Sequence, residues 1–222
     1  MQSASRISLD RLELNSSLAP IVLRQPTEFA LSDGQLTIPG ASLSIAAGEL
    51  TVQGTAGPRM DMDIAMRGLP LKIVNAVRPE TGATGTVSGT VKITGTSNDP
   101  QIQVALDGKG VAAQPLTSNG IKPLSFSAKG GFSNQVLQLA ALQARNSQNL
   151  TLNASGRLPL SGSGLNFKAD GTLPLSLAQP ALASRGSTVT GTARFNITAK
   201  GTLSKPSASG LVSVENASLT DP

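Results

Sequence analysis

The chain reads as all-β: one long, curled antiparallel sheet, open as a groove, with an apolar concave face and one or two short helices. Three observations predict it. Apolar and polar residues alternate with a period of two along most of the length, most plainly in Met60-Asp-Met-Asp-Ile-Ala-Met-Arg67, the mark of a strand with one dry and one wet face. Turn-forming pairs interrupt the alternation at short intervals, too closely for the crossovers that parallel strands need. The order of short words then recurs about 105 residues later.

The alternating stretches, in chain order, are Arg6–Leu14, Gln35–Ile38, Ser42–Ile45, Glu49–Gln53, Met60–Arg67, Thr86–Thr94, Gln101–Leu106, Leu124–Ala128, Val136–Ala140, Asn149–Ala154, Leu165–Ala169, Ala193–Ala199 and Ser209–Val214. Turn signals separate them: Asp33-Gly34, Pro39-Gly40, Ala47-Gly48, Gly57-Pro58, Asn98-Asp-Pro100, Asp107-Gly108, Lys129-Gly-Gly131, Asn146–Gln148, Ser161-Gly-Ser-Gly164 and Lys205-Pro206, residues that supply the left-handed or fixed φ of tight turns. The meander breaks twice. Leu71–Arg78 and Leu175–Ala183 fit short amphipathic helices better than strands, the second made irregular by Pro180.

The repeat is ordered. Gly68-Leu-Pro-Leu71 returns as Thr172-Leu-Pro-Leu175, Gly85-Thr86 as Gly191-Thr192, and Gly95–Pro100 as Gly201–Pro206. Residues 1–222 are therefore read as one continuous repetitive β-groove segment, its internal repeat spanning approximately 36–110 and 136–216. Reiteration of a multi-strand unit builds extended objects in which each unit touches its neighbours. The repeat reads as continuing past Asp221-Pro222, the expectation for a piece of a longer protein.

Composition narrows the possibilities. Only 39% of the 222 residues are hydrophobic, and the aromatics are five Phe with no Trp or Tyr. That is thin filling for a closed sandwich, but adequate if apolar surface faces a groove. The net charge is +5, yet the basic residues are scattered singly and no aromatics stand ready to stack bases, so nucleic acid is not expected as a partner. No run reaches the ~18 apolar residues of a membrane-spanning helix, and Met1-Gln-Ser-Ala-Ser-Arg6 has no apolar signal core.

Catalysis is not expected. With no His and no Cys, Ser-His-Asp and Cys-His chemistry and most transition-metal sites are excluded. Nucleophile-elbow and phosphate-loop motifs are absent. Asp61 and Asp63 form the tightest carboxylate pair, but alternation sets both on the solvated face of one strand. Asp99 and Asp107 lack the dense acidic spacing of a calcium loop and fit turns. No cofactor and no metal are implied.

The positive feature is the stripe Met60, Met62, Ile64 and Met66. It fits an ordinary sheet core. It also fits a lining that contacts acyl chains, because methionine adapts to irregular partners. The candidate groove-lining set is Met60, Met62, Ile64, Met66, Val91, Ile93, Ile102, Val104, Phe167, Phe195 and Ile197. A sheet this long also leaves edges, so edge-to-edge self-association is expected where nothing else pairs with them.

The words at the repeat junctions resemble a known family. Gly68-Leu-Pro-Leu71, Gly82-Ala-Thr-Gly-Thr-Val-Ser-Gly-Thr-Val-Lys-Ile-Thr-Gly-Thr-Ser-Asn-Asp-Pro100, Leu173–Gly186, Lys200–Pro206 and Gly210–Pro222 are similar to the TamB family of translocation and assembly module proteins, in particular its C-terminal DUF490 region. The resemblance implies a periplasmic segment of an inner-membrane-anchored protein in a Gram-negative bacterium, with strands in a curled β-taco. It implies a TamA-like Omp85-type outer-membrane partner, and phospholipid or unfolded outer-membrane protein as cargo. It also relates the chain to AsmA-like and bridge-like lipid transfer proteins. It carries no catalytic residues. The alternative from another class is a structural β-spacer or secreted β-solenoid passenger without cargo.

Overall fold

The computed structural model describes residues 5–15, 19–179 and 187–220. They form a single antiparallel sheet of 15 strands: β1 (Ser5–Leu9), β2 (Glu13–Asn15), β3 (Pro20–Leu23), β4 (Thr27–Ser32), β5 (Gln35–Ile45), β6 (Gly48–Ala56), β7 (Arg59–Pro70), β8 (Thr84–Thr96), β9 (Pro100–Ala112), β10 (Leu124–Ser133), β11 (Val136–Asn146), β12 (Thr151–Pro159), β13 (Leu165–Pro174), β14 (Thr188–Gly201) and β15 (Pro206–Thr220). From β4 to β15 each strand pairs with the next in sequence, so the sheet is one meander. It does not close, because β1 and β15 are not neighbours.

The first strands depart from the meander. β1 pairs with β4, and β2 with β3. The outer edge of β5 is then shared, β4 taking its first residues and β3 its last. The stretch expected as one strand over Arg6–Leu14 is thus two, interrupted at residues 10–12, and β3 and β4 lie in a region whose alternation is too short to read. The expected turn at Pro39-Gly40 is a bulge inside β5: the register with β6 slips between Ile38 and Ala41, and the Thr27 hydroxyl donates to the Gly40 carbonyl at 2.7 Å. A bulge absorbs the missing proline N–H without ending the strand.

The sheet has two unlike rims. Successive strands alternate in direction, so connections alternate between rims. One rim carries only short links, among them Asp33-Gly34, Gly57-Pro58 and Asn134-Gln135. The other carries the three long ones, 71–83, 113–123 and 175–187. Where helices are expected at 71–78 and 175–183, the first holds the 3-10 turns Leu71–Ala76 and Pro79–Thr81 and the second the 3-10 turn Leu175–Ala178; Pro180–Ala183 lie outside the described residues. The middle link holds a helical turn, α1 (Gln114–Thr117), which the two-fold repeat does not announce.

Each long link is tied down by an amide side chain that serves a backbone N–H and a backbone C=O together. Asn75 accepts from the Ala83 N–H at 2.8 Å and donates to the Ala83 carbonyl at 3.0 Å. Gln179 donates to the Ser187 carbonyl at 2.7 Å and accepts from the Val189 N–H at 3.0 Å. In the middle link Gln148 accepts from the Lys122 N–H at 2.8 Å and donates to the Gly120 carbonyl at 3.0 Å, and Asn146 adds a bond to the Lys122 carbonyl at 3.2 Å. A primary amide is the one side chain that mimics a peptide group, so it satisfies irregular backbone that no strand partner reaches.

The core is small. Ala19, Ile45 and Leu69 form a buried cluster at the capped rim, with Ile21, Leu43, Leu50, Met66 and Val87 packed around it and Ile73 of the first 3-10 turn also packed against it. Among the described residues no large side chain falls below 2% exposure. The solvent-accessible surface is 13816 Å², where a compact globule of this size has roughly 9,500 Å². The excess is the signature of a single layer.

Candidate functional site

Directly paired residues of antiparallel strands point to the same side, so register alone sorts the faces. One row runs Met62, Ile93, Ile102, Phe132, Leu137, Leu158 across β7 to β12. The next runs Val52, Ile64, Val91, Val104, Gly130, Leu139, Gly156, Phe167, Ala199. A third runs Leu43, Leu50, Met66, Gly89, Leu106, Ala128, Leu142, Ala154, Ala169, Ile197. A fourth, nearest the capped rim, runs Leu69, Val87, Gly108, Phe126, Ala144, Leu152, Gly171, Phe195, Val212. Neither a charge nor a hydroxyl enters any of the four.

All eleven candidates from the sequence fall on this face. Ten lie in the four rows, and Met60 stands opposite Gly95 one step beyond the first. The register also brings in residues the sequence reading left out: Leu106, Leu139, Leu142, Leu152, Phe126 and Phe132 among them. Bulges hide some of these. In β11 the apolar positions run Leu137, Leu139, Leu142, Ala144, because the pairing slips between Leu139 and Leu142. In β7 they run Met62, Ile64, Met66, Leu69, because it slips after Met66, where Gly68 takes φ 57°. Strict alternation loses the face at each slip.

The apolar side chains are half-buried by each other rather than covered; Ile197 is 38% and Leu137 44% exposed. Small residues among the large ones let neighbours lie down. The Phe126 ring rests over Gly108 of β9, occupying the space a side chain there would need, an aromatic covering a strand glycine. Gly89, at φ +149°, permits a kink that other residues resist: a Cβ there would lie 2.0 Å from the Ala105 carbonyl oxygen.

The opposite face is polar. Its matching row reads Gln53, Asp63, Lys92, Gln103, Gly131, Gln138, Arg157, Asn166, Lys200. Lys92 donates to Asp63 at 3.0 Å and to Asp61 at 3.4 Å. The bond to Asp63, then that to Asp61, holds the Lys92 ammonium above the ordinary lysine value. The Asp61/Asp63 pair thus shares a single lysine on the next strand, which offsets one of its two charges. Two depressions of about 940 and 1100 Å³ open on this face, the first among Glu49, Asp63, Arg67, Lys92 and Gln138, the second among Asp107, Lys109, Gln143, Arg145 and Asn153. Among the described residues no group of three or more His, Cys, Asp or Glu converges on a metal-sized site.

Fold and faces together define a class: extended, open-sheet proteins with one continuous apolar surface and one polar surface. Residues 8–163 match the family model described as TamB, N-terminal domain, and the chain belongs to the TamB family. The matched model is the family's N-terminal domain, whereas the likeness of the junction words pointed to its C-terminal region. No curated protein and no solved structure matches the chain. The family is a non-enzymatic component of the translocation and assembly module of the Gram-negative envelope, in which it works with a TamA-type partner. No helix among the described residues is long and apolar enough to cross a membrane.

Proposed function

We propose that this chain is a periplasmic stretch of conduit whose apolar face shields phospholipid acyl chains on their way to the outer membrane. The observation that carries the reading is the unbroken set of apolar rows from β5 to β15, half-buried and without a polar anchor. Burying a methylene against such a surface gains about 0.8 kcal/mol. With nothing to fix a headgroup or chain end, that gain is nearly the same at each position, which favours sliding. The two stretches 36–110 and 136–216 act as two copies of one groove unit, running through β5–β9 and β11–β15. Met60, Met62, Ile64, Met66, Val91, Ile93, Ile102, Val104, Phe167, Phe195 and Ile197 contact the cargo.

Native mass spectrometry of the purified protein tests this. Co-purifying phospholipid is expected; a bare chain supports a structural spacer, and bound unfolded outer-membrane polypeptide supports the other cargo the same face would suit. Photo-crosslinking gives the face. Probes at Ile64 and Val91 should label lipid while probes at the adjacent Ala65 and Thr90 should not. Equal labelling from both would sink the assignment.

A further inference from the structure

We propose that the polar face of β9–β14 is a binding surface for an anionic polysaccharide, a chain carrying carboxylates or phosphates among its sugar hydroxyls. The cations are scattered singly along the sequence, but the register collects them. These strands are interior, each paired on both sides. On the face turned away from the apolar rows they carry Lys109, Lys129, Arg145, Arg157, Lys168, Arg194 and Lys200, against only Asp107 and Asp170. The same face of β6–β8 is balanced: Arg59, Arg67 and Lys92 stand among Glu49, Asp61 and Asp63. There Arg67 reaches Glu49 at 3.8 Å and Lys92 reaches both aspartates. A solvated sheet face therefore needs no excess of either sign. In β9–β14 Arg194 is held by Glu215 of β15 at 2.8 Å. Among the described residues the other cations have no carboxylate within salt-bridge distance, and Asp170 is engaged by Asn153 at 2.9 Å.

Two groups of cations stand out. Arg157 and Lys200 flank Asn166 on its two neighbouring strands, which sets them about 10 Å apart. Lys168 lies two residues from Asn166 on the same face, with Ser155 and Thr198 beside it. Nearer the capped rim, Lys109 and Arg145 wall the hollow of about 1100 Å³, whose lining includes Ser125, Ser127, Gln143, Thr151 and Asn153. The partner's chemistry follows. Cations spaced at about 10 Å fit anions set at intervals along a chain better than one compact anion. The hydroxyls and amides between them both donate and accept, as sugar hydroxyls require. No aromatic side chain lies on this face to stack a base, and no apolar pocket is there to anchor the side chains of an acidic peptide. A flat bilayer would span the mouth of the hollow without reaching its floor. Headgroups of lipids lying on the apolar rows are on the other side of the sheet, so this surface does not rest on the conduit reading.

Labelled polygalacturonate, a linear carboxylated glycan, is the probe, beside neutral dextran and vesicles of equimolar phosphatidylcholine and phosphatidylglycerol. The chain should bind polygalacturonate and not dextran, with affinity falling about tenfold or more between about 50 and about 200 mM salt. Arg157→Gln/Lys168→Gln/Lys200→Gln should weaken binding by about tenfold or more at about 150 mM salt, whereas Arg157→Lys/Lys168→Arg/Lys200→Arg should retain it. Arg59→Gln/Arg67→Gln/Lys92→Gln makes the same change in net charge on the balanced strands. It should alter affinity by less than about threefold, because fields are screened beyond about 8 Å at that salt. Circular dichroism checks that each variant keeps the sheet. Equal loss from the two glutamine triples overturns the proposal, since net charge alone would then explain binding. So does absence of binding, equal binding of dextran, or tighter binding to the vesicles. Co-purifying lipid should be the same in every variant, so failure here leaves the conduit reading standing.

Discussion

The sheet begins with β1 and β2, strands of 5 and 3 residues, and ends with β15, a strand of 15. The early edge is divided between β1, which pairs with β4, and the short β2–β3 hairpin, and it carries Arg6, with Arg11 paired to Glu13 beside it. Behind it lies the Ala19–Ile45–Leu69 cluster, with Ile73 of the first 3-10 turn packed against it. The late edge has neither blunting nor backing: in the described residues nearly all of β15 is exposed on both faces. Both regions are antiparallel strands of the same sheet. What separates them is the number of neighbours. A residue flanked by strands on both sides, with a link folded near it, is fixed; the same residue on a strand with one neighbour is not.

The largest test of that difference is Leu69→Ala against Val212→Ala. Leu69 is 4% exposed, so its truncation should cost about 3 kcal/mol, while Val212→Ala should stay within about 0.5 kcal/mol, both read from urea midpoints. Equal losses would mean the late edge is as firmly packed as the early core. Next come two glycines with the same collision. A Cβ at Gly89 would lie 2.0 Å from the Ala105 carbonyl oxygen and one at Gly210 would lie 2.1 Å from that of Asn196. Gly89→Ala should cost about 2 kcal/mol, because β8 is held on both sides and its φ is unfavourable for alanine. Gly210→Ala should cost under about 1 kcal/mol, because β15 can shift outward.

A smaller effect sharpens the comparison at the rim. Asn75→Ala removes two hydrogen bonds to Ala83 and should lose about 1–2 kcal/mol; Gln179→Ala should match it within about 0.5 kcal/mol if the two links are held alike. Hydrogen exchange adds the local view: amides of β8 should open only with the whole sheet, and outward-facing amides of β15 should exchange at near-unprotected rates. The smallest effect is at Lys92. Its pKa is raised in the fold by Asp63 and then Asp61, so its attraction is fully present below the ordinary lysine value and lost as pH rises through the elevated one. Lys92→Gln should therefore lower the melting temperature slightly at neutral pH, and the gap from the parent should close in strongly alkaline solution.

Much of the strand order was legible because each hairpin is local: an alternating run, a turn, another run. The apolar face was legible wherever alternation held, as at Met60–Met66 and Val91–Ile93. It was lost at the bulges after Ile38, Met66 and Leu139, since a bulge leaves no trace in hydropathy beyond a doubled residue. β3 and β4 were missed because each pairs with part of β5, a choice made by a neighbour and not by their own pattern. α1 was missed because a single helical turn has no period to detect.

Sequence alone determined that the chain is a β-meander with one dry face, that it has no His or Cys, and that short words recur about 105 residues apart. These are local or compositional properties, set by side chains two residues apart. Only the tertiary structure decided how the first strands share the edge of β5 and which rim is capped. Those depend on where the register slips and on which backbone groups find partners far along the chain. Alternation tells a strand which way to face; its neighbours decide whether that face is covered.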